Sequence, residues 1–258
     1  MKLFKLELTP PVRALSAFAL MLALPLAANA TDYTWNGGGG EDTSWTNPKN
    51  WNKTNAGDYP KAATDLAKFS IKTPIVVTLG DETITIKGIT ANWDGVDLTI
   101  KGNGASKSKI VVAESNKVNF NAAASYTLDG VEFDNSVNTA EFSLTVAGSS
   151  LTLKNGAKFV TNGHFTPSKC SITLLDHSLL QVGISPQSGT YAYLAPLNGP
   201  IVIDDSTFVC MNICYLGNVT PGGGTITFRG ANPRLVVYNG GFGYLDALRA
   251  AFTTETAD

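Results

Sequence analysis

Residues 150–159 read "SLTLKNGAKF". Successive side chains in a strand point to opposite faces, so Leu151 and Leu153 share one face while Thr152 takes the other. Asn155-Gly156 follows, a pair that tolerates the left-handed backbone a chain needs to turn a corner. Ala157-Lys158-Phe159 then resumes an extended pattern. The stretch reads as strand, corner, strand, with the apolar residues held to one side.

The same tripeptide, threonine between two apolar residues, recurs along the chain. It appears as Ile84-Thr85-Ile86, Leu98-Thr99-Ile100, Tyr126-Thr127-Leu128, Leu144-Thr145-Val146, Ile172-Thr173-Leu174 and Ile226-Thr227-Phe228. One member per repeat gives Thr99, Thr127, Thr152, Thr173, Val202 and Thr227, spaced by 28, 25, 21, 29 and 25 residues. A second register, Asp129, Asn155, Asp176 and Asp205, has spacings of 26, 21 and 29 and tracks the first to within one residue. Units of 20 to 30 residues with strands inside them are the signature of a solenoid. The expected fold is all-β, a right-handed parallel β-helix (a single-stranded β-solenoid).

In that fold the apolar members of the repeat, from Ile84, Ile86 and Val96 through Leu151 and Leu153 to Ile226 and Phe228, line one dry column. Each large side chain buried there contributes roughly 1.5–3 kcal/mol. Residues 71–238 supply about six or seven coils, a rod on the order of 30 Å long at the usual inter-strand spacing. The rival architecture, an antiparallel sandwich, favours tight Asn-Gly hairpins. Asn155-Gly156 is such a pair, but it belongs to the corner register.

A solenoid must close its ends, because an open terminal coil exposes core side chains and strand edges. The stretch "YTWNGGGGEDTSWTNPKNW", residues 33–51, sits before the first coil and carries Trp35, Trp45 and Trp51. As a cap these indoles would each bury around 150–250 Å²; as a glycan platform they would expose ring faces to sugars. The cap is the expected role, with glycan contact the competing one. Gly37–Gly40 lacks the Lys-Ser/Thr ending of a phosphate loop, and Glu41 with Asp42 falls short of the oxygen ligands calcium requires. The expected organisation is a signal peptide over 1–30, a Trp-rich N-terminal cap over 31–70, the β-helix over 71–238 and a C-terminal tail or cap over 239–258. In that tail Leu245, Leu248 and Phe252 form a weak helical stripe after Gly240-Gly241.

The ordered set Trp35, Trp45, Asn50-Trp51, Pro60, Asp65, Ala67 and Phe69, leading into strands of the Ser150–Phe159 type, resembles the N-terminal module of secreted bacterial β-helix proteins with autotransporter-associated repeats. The resemblance covers most of the chain after residue 30. It implies a passenger-like β-helix and an exported address more firmly than any activity. Proteins of that class continue into a barrel or another anchor, whereas this sequence runs to Asp258.

Lys2, Lys5 and Arg13 precede an apolar run from Ala14 to Ala27, which ends at Ala28-Asn29-Ala30. That is the pattern of a secretory signal peptide, and the run is too short to span a bilayer. The expected address is therefore extracellular, cell-surface or periplasmic in a bacterium, with no transmembrane segment in the mature chain. The formal charge of the whole chain is −2, and residues 1–30 hold more basic than acidic groups. The remainder is a poor partner for nucleic acid. Three cysteines in an exported chain leave at least one without an internal partner. Cys210 and Cys214 cannot bridge within a straight strand, although a turn at Asn212 would bring them closer and leave Cys170 over. The simplest reading is that all three are small buried hydrophobes.

Catalytic chemistry finds little support. Adjacent Asp204 and Asp205 face opposite sides of a strand, whereas paired carboxylates for glycoside hydrolysis must face each other across roughly 5–9.5 Å. The series of a polygalacturonase-like enzyme is represented only by that Asp pair. His164 and His177 lack second ligands at metal spacing, and no Gly-x-Ser-x-Gly elbow is present. An ice-binding row needs Thr-x-Thr and constant coil length, so no thermal hysteresis is expected. No catalytic, cofactor-binding or metal-binding residue is assigned, and no cofactor is expected. The reading is an exported structural or adhesin-like surface protein. The alternative is a pectin lyase-like protein that binds or degrades carbohydrate in a cleft formed by loops around 103–123 and 184–200. A polysaccharide or cell-surface ligand is the partner class in either case; the oligomeric state is left open.

Overall fold

The structure is a computed structural model. It describes residues 31–52, 58–92, 95, 97–114, 118–120, 122–137, 139, 142–144, 146–167, 170–186, 189, 191–194, 199–216, 225–238, 242–243 and 252–255. The signal-peptide reading, Val96, Thr145, Leu245 and Leu248 fall outside these residues.

The chain is a parallel β-helix. Each coil passes through three faces in a fixed order, as in Phe142–Leu144, Ser150–Lys154 and Lys158–Thr161, followed by Phe165–Pro167, Ser171–Leu174 and Leu179–Val182. The middle member of every coil joins one eight-stranded sheet, the threonine face. The third member joins a seven-stranded sheet, the second face. The remaining face is divided between two five-stranded sheets, one ending at Val118–Phe120 and the next beginning at Phe142–Leu144. Among the described residues every strand pairing is parallel except that of Asp32–Trp35 with Trp51–Asn52 in the cap.

The threonine register is the strand register. Thr99 pairs with Thr127, Thr127 with Thr152, Thr152 with Thr173, Thr173 with Val202, and Val202 with Thr227. The row continues to Val76 on one side and Thr253 on the other. Unequal spacing does not disturb it, because extra residues enter the connections. The shorter coil from Thr152 to Thr173 has brief links at 155–157 and 162–164, whereas the longer one to Val202 runs through 183–190 and 195–200.

Ile84-Thr85-Ile86 shares the tripeptide but belongs to the second face, where Thr85 pairs with Val111. Its two isoleucines are nevertheless buried in the same column.

The corner register also has a structural cause. Asn155, Asp176 and Asp205 adopt φ of 55°, 55° and 43°, the left-handed region that Asp and Asn enter at low cost. At Asp129 the reading is off by one residue: Asp129 ends its strand, and Gly130 takes the positive φ of 60°. Successive corners are bonded to one another, Gly130 N donating to Lys154 O, Gly156 N to Asp176 O and His177 N to Asp205 O.

The column is filled from all three faces. Leu151, Leu153, Phe159 and Phe165 are 0% exposed. Phe159 meets Phe133 at 5.1 Å and Phe142 at 4.9 Å in edge-to-face contacts, and Phe142 stacks on Phe165 at 5.6 Å, the geometries an aromatic quadrupole favours. Phe252–Glu255, which the helical stripe would have made part of a helix, is a strand paired with Ile226–Arg229. Phe252 thus takes the position that Ile201 and Ile226 hold in preceding coils.

Candidate functional surface

The outer side of the threonine face carries three rows. The central one is the threonine row. Beside it run Ser125, Ser150 and Ser171, mutually paired and all at least partly exposed. Each serine lies two residues before its threonine, in Ser125-Tyr126-Thr127, Ser150-Leu151-Thr152 and Ser171-Ile172-Thr173. The two hydroxyl rows therefore stand in register across three adjacent strands. On the other side Lys101, Asp129 and Lys154 are strand partners, as are Asp204 and Arg229. Lys154 Nζ lies 3.4 Å from Asp129 Oδ2, and Asn155 Nδ2 donates to Asp129 Oδ1 at 2.6 Å.

The second face carries a tighter charge cluster. Lys109 Nζ lies 2.6 Å from Glu132 Oε1 and 2.8 Å from Asp134 Oδ2. Partial burial works against the charge on Lys109, but the hydrogen bonds with Asp134 and Glu132 outweigh it and hold the pKa above the ordinary lysine value. At Asp134 partial burial likewise opposes the charge. Hydrogen bonds from Lys109 and Ser136 prevail, so the carboxyl sits below its ordinary range.

Trp35, Trp45 and Trp51 are 3%, 0% and 4% exposed. Trp51 meets Trp35 and Trp45 at 5.0 Å each, and all three rings lie over Phe69. Trp45 Nε1 donates to Pro60 O at 2.8 Å and Trp51 Nε1 to Trp45 O at 2.7 Å. With their faces against one another and their N–H groups bonded inside, the indoles cover the first coil and present no platform to solvent. The cap is also tied to the threonine face, since Trp45 N donates to Thr78 O and Thr78 N to Thr43 O.

The glycine run is a packing device. A Cβ on Gly38 would come within 2.5 Å of Lys49 O, and one on Gly39 within 2.6 Å of Asn50 Oδ1. Only glycine lets the backbone lie this close to the 3₁₀ turn Pro48–Asn50, where Gly39 N donates to the buried Asn50 side chain at 2.8 Å.

The remaining candidates are dispersed. His177 lies at a corner with Nδ1 3.1 Å from Asp205 O, whereas His164 accepts through its carbonyl from Phe142 N. Asp204 ends a strand opposite Arg229, while Asp205 turns the corner and accepts from Asn232 N at 2.8 Å. The loops at 103–123 and 184–200 are described only in part. Cys170, Cys210 and Cys214 are buried and in no disulfide. Burial, with Cys210 nearby, pushes the Cys214 thiol far above the ordinary range, as expected of small core residues rather than nucleophiles. Among the described residues no group of three or more His, Cys, Asp or Glu is placed to hold a metal, and no helix is long and apolar enough to cross a membrane.

Fold and surface together define a capped parallel β-helix with ordered polar rows on its outer faces. Comparison with protein-family models, curated proteins and solved structures returned no match.

Proposed function

We propose that the protein is an exported structural or adhesin-like component of a bacterial surface, which presents the outer faces of its β-helix to a polysaccharide or cell-surface ligand and performs no chemistry. The observation that supports this reading is the in-register hydroxyl array of Ser125, Ser150, Ser171, Thr127, Thr152 and Thr173, flanked by paired charges. A stiff sheet holds these groups at fixed separations without further ordering cost on binding, the condition under which many weak polar contacts sum to a useful affinity. The export reading rests on residues 2–30 and on the resemblance of the N-terminal module to secreted β-helix proteins.

Two measurements test the proposal. Fractionation of cells expressing the full chain should place the protein outside the cytoplasm, and deletion of residues 2–30 should retain it inside. A glycan array combined with a reducing-sugar assay on plant and algal polysaccharides should show binding without turnover. Release of reducing ends would overturn the non-catalytic reading in favour of a carbohydrate-degrading enzyme.

A further inference from the structure

Cys210 and Cys214 stand on either side of a corner. Cys210 ends the second-face strand Thr207–Cys210, Met211 and Asn212 make the turn, and Cys214 is the second residue of Ile213–Leu216 on the remaining face. Both are 0% exposed and point into the column. Cys210 lies beside Val182, itself 0% exposed, in the preceding coil. The corner is pinned to that coil, since Met211 N donates to Val182 O.

A straight strand would hold the two Cα atoms about 13 Å apart, well beyond the roughly 7 Å that a disulfide spans. The corner removes that obstacle, because inward residues on two faces that meet at an angle converge on the inside of the bend. The hydrogen bond of Cys210 records the convergence. Its Sγ lies 3.1 Å from Ile213 O, the carbonyl joined to the amide nitrogen of Cys214. One sulfur therefore already touches the peptide unit of the other cysteine. Cys170 belongs to a different corner: it sits just before Ser171, where the chain enters the threonine face, with its sulfur on Leu144 O.

We infer that Cys210 and Cys214 form an intrachain disulfide when the chain folds in the presence of a disulfide oxidant, a staple across the corner between the second face and the remaining face. The structure holds the reduced form, with both thiols in place. One thiolate attacks the oxidant, a small-molecule or protein disulfide, and releases half of it as a thiol; the other thiolate then displaces the second half. One S–S bond forms, two S–H bonds are lost, and the oxidant is reduced to two thiols, so no atom is added to the column. The exchange belongs to folding, before the column closes, because burial keeps the Cys214 thiol protonated in the finished fold and only thiolates exchange. Under reductant all three cysteines stay as thiols. An exported chain meets such oxidants; the linkage rests on the export reading for its oxidant alone, and glutathione disulfide serves equally in vitro.

The test refolds the purified full chain from urea in a buffer of glutathione and glutathione disulfide, blocks the remaining thiols with N-ethylmaleimide in denaturant, and cleaves with cyanogen bromide at Met211, which lies between the two cysteines. Blocking should modify one thiol per chain, that of Cys170, while circular dichroism matches that of the reduced protein. The fragments on either side of Met211 should stay together until a reductant is added. In Cys210→Ala or Cys214→Ala they should separate without it, whereas Cys170→Ala should leave them joined. At one glutathione ratio the linked form should be favoured roughly tenfold more in native buffer than in urea, since only the fold brings the two sulfurs together. Three modified thiols after refolding, fragments that part without reductant, a linkage that survives Cys210→Ala, or equal linkage in native buffer and urea would each overturn the inference.

Discussion

Phe159 and its neighbour Lys158 provide the sharpest energetic test of the column. Phe159 is 0% exposed and in ring contact with Phe133 and Phe142, so Phe159→Ala removes a whole ring from a site walled by other rings on two sides. Loss of transfer free energy plus the cavity left behind costs about 3–5 kcal/mol for such a truncation. The stacked phenylalanines cannot all move to fill it, which places the expected loss in the upper half of that range. Lys158 precedes it on the same strand with its side chain outward, and Lys158→Ala should change stability by less than about 0.5 kcal/mol. Urea unfolding followed by far-ultraviolet circular dichroism measures both, and an unchanged m-value would show that the same surface is exposed in each variant. A loss below about 1 kcal/mol for Phe159→Ala, or comparable losses for the two variants, would refute the inward-outward assignment.

Trp45→Ala should destabilise by about 3–5 kcal/mol and raise acrylamide quenching of the remaining indoles, since Trp51 and Trp35 lose their cover. Unchanged quenching would argue against the cap. At the corner, Asp176→Val should cost about 1–2 kcal/mol through the left-handed backbone, whereas Asp176→Gly should be neutral or stabilising. The two variants are separated by their urea midpoints. Asp134 has its folded-state pKa depressed, so its contribution to stability is present above the unfolded value and is lost as pH falls through the folded one. Lys109 has its own raised, and its contribution is lost as pH rises through that value. Stability should therefore decline below the ordinary carboxylate range, and Lys109→Met should flatten that acid limb in urea titrations at successive pH values. Cys170, Cys210 and Cys214 should resist a thiol reagent in the native protein and react together in denaturant; reaction in the folded state would contradict their burial.

The threonine face was legible because one flagged residue, Thr152 or its equivalents, recurs on each strand and its partners are apolar on both sides. The second face carried no such flag. Its outward positions include Lys109, Glu132, Lys158 and Leu179, so Phe133, Phe159 and Phe208 did not stand out as a column although they fill its centre. The serine row was within reach, since Ser125, Ser150 and Ser171 each stand two residues before a threonine already in register. What the sequence could not supply was which loop absorbs the extra residues of each coil. Without that, spacings of 21 to 29 residues do not by themselves reveal that the threonines stand in register on adjacent strands, as they do.

The most direct test of the stacking is a set of spin-label distances along the threonine row. With one label at Thr99 and the second at Thr152, Thr173 or Val202, each further strand should add about 4.8 Å between backbones, in strict order of coil number. A separation that fails to grow from Thr152 to Thr173 to Val202 would contradict the in-register parallel column on which the whole account stands.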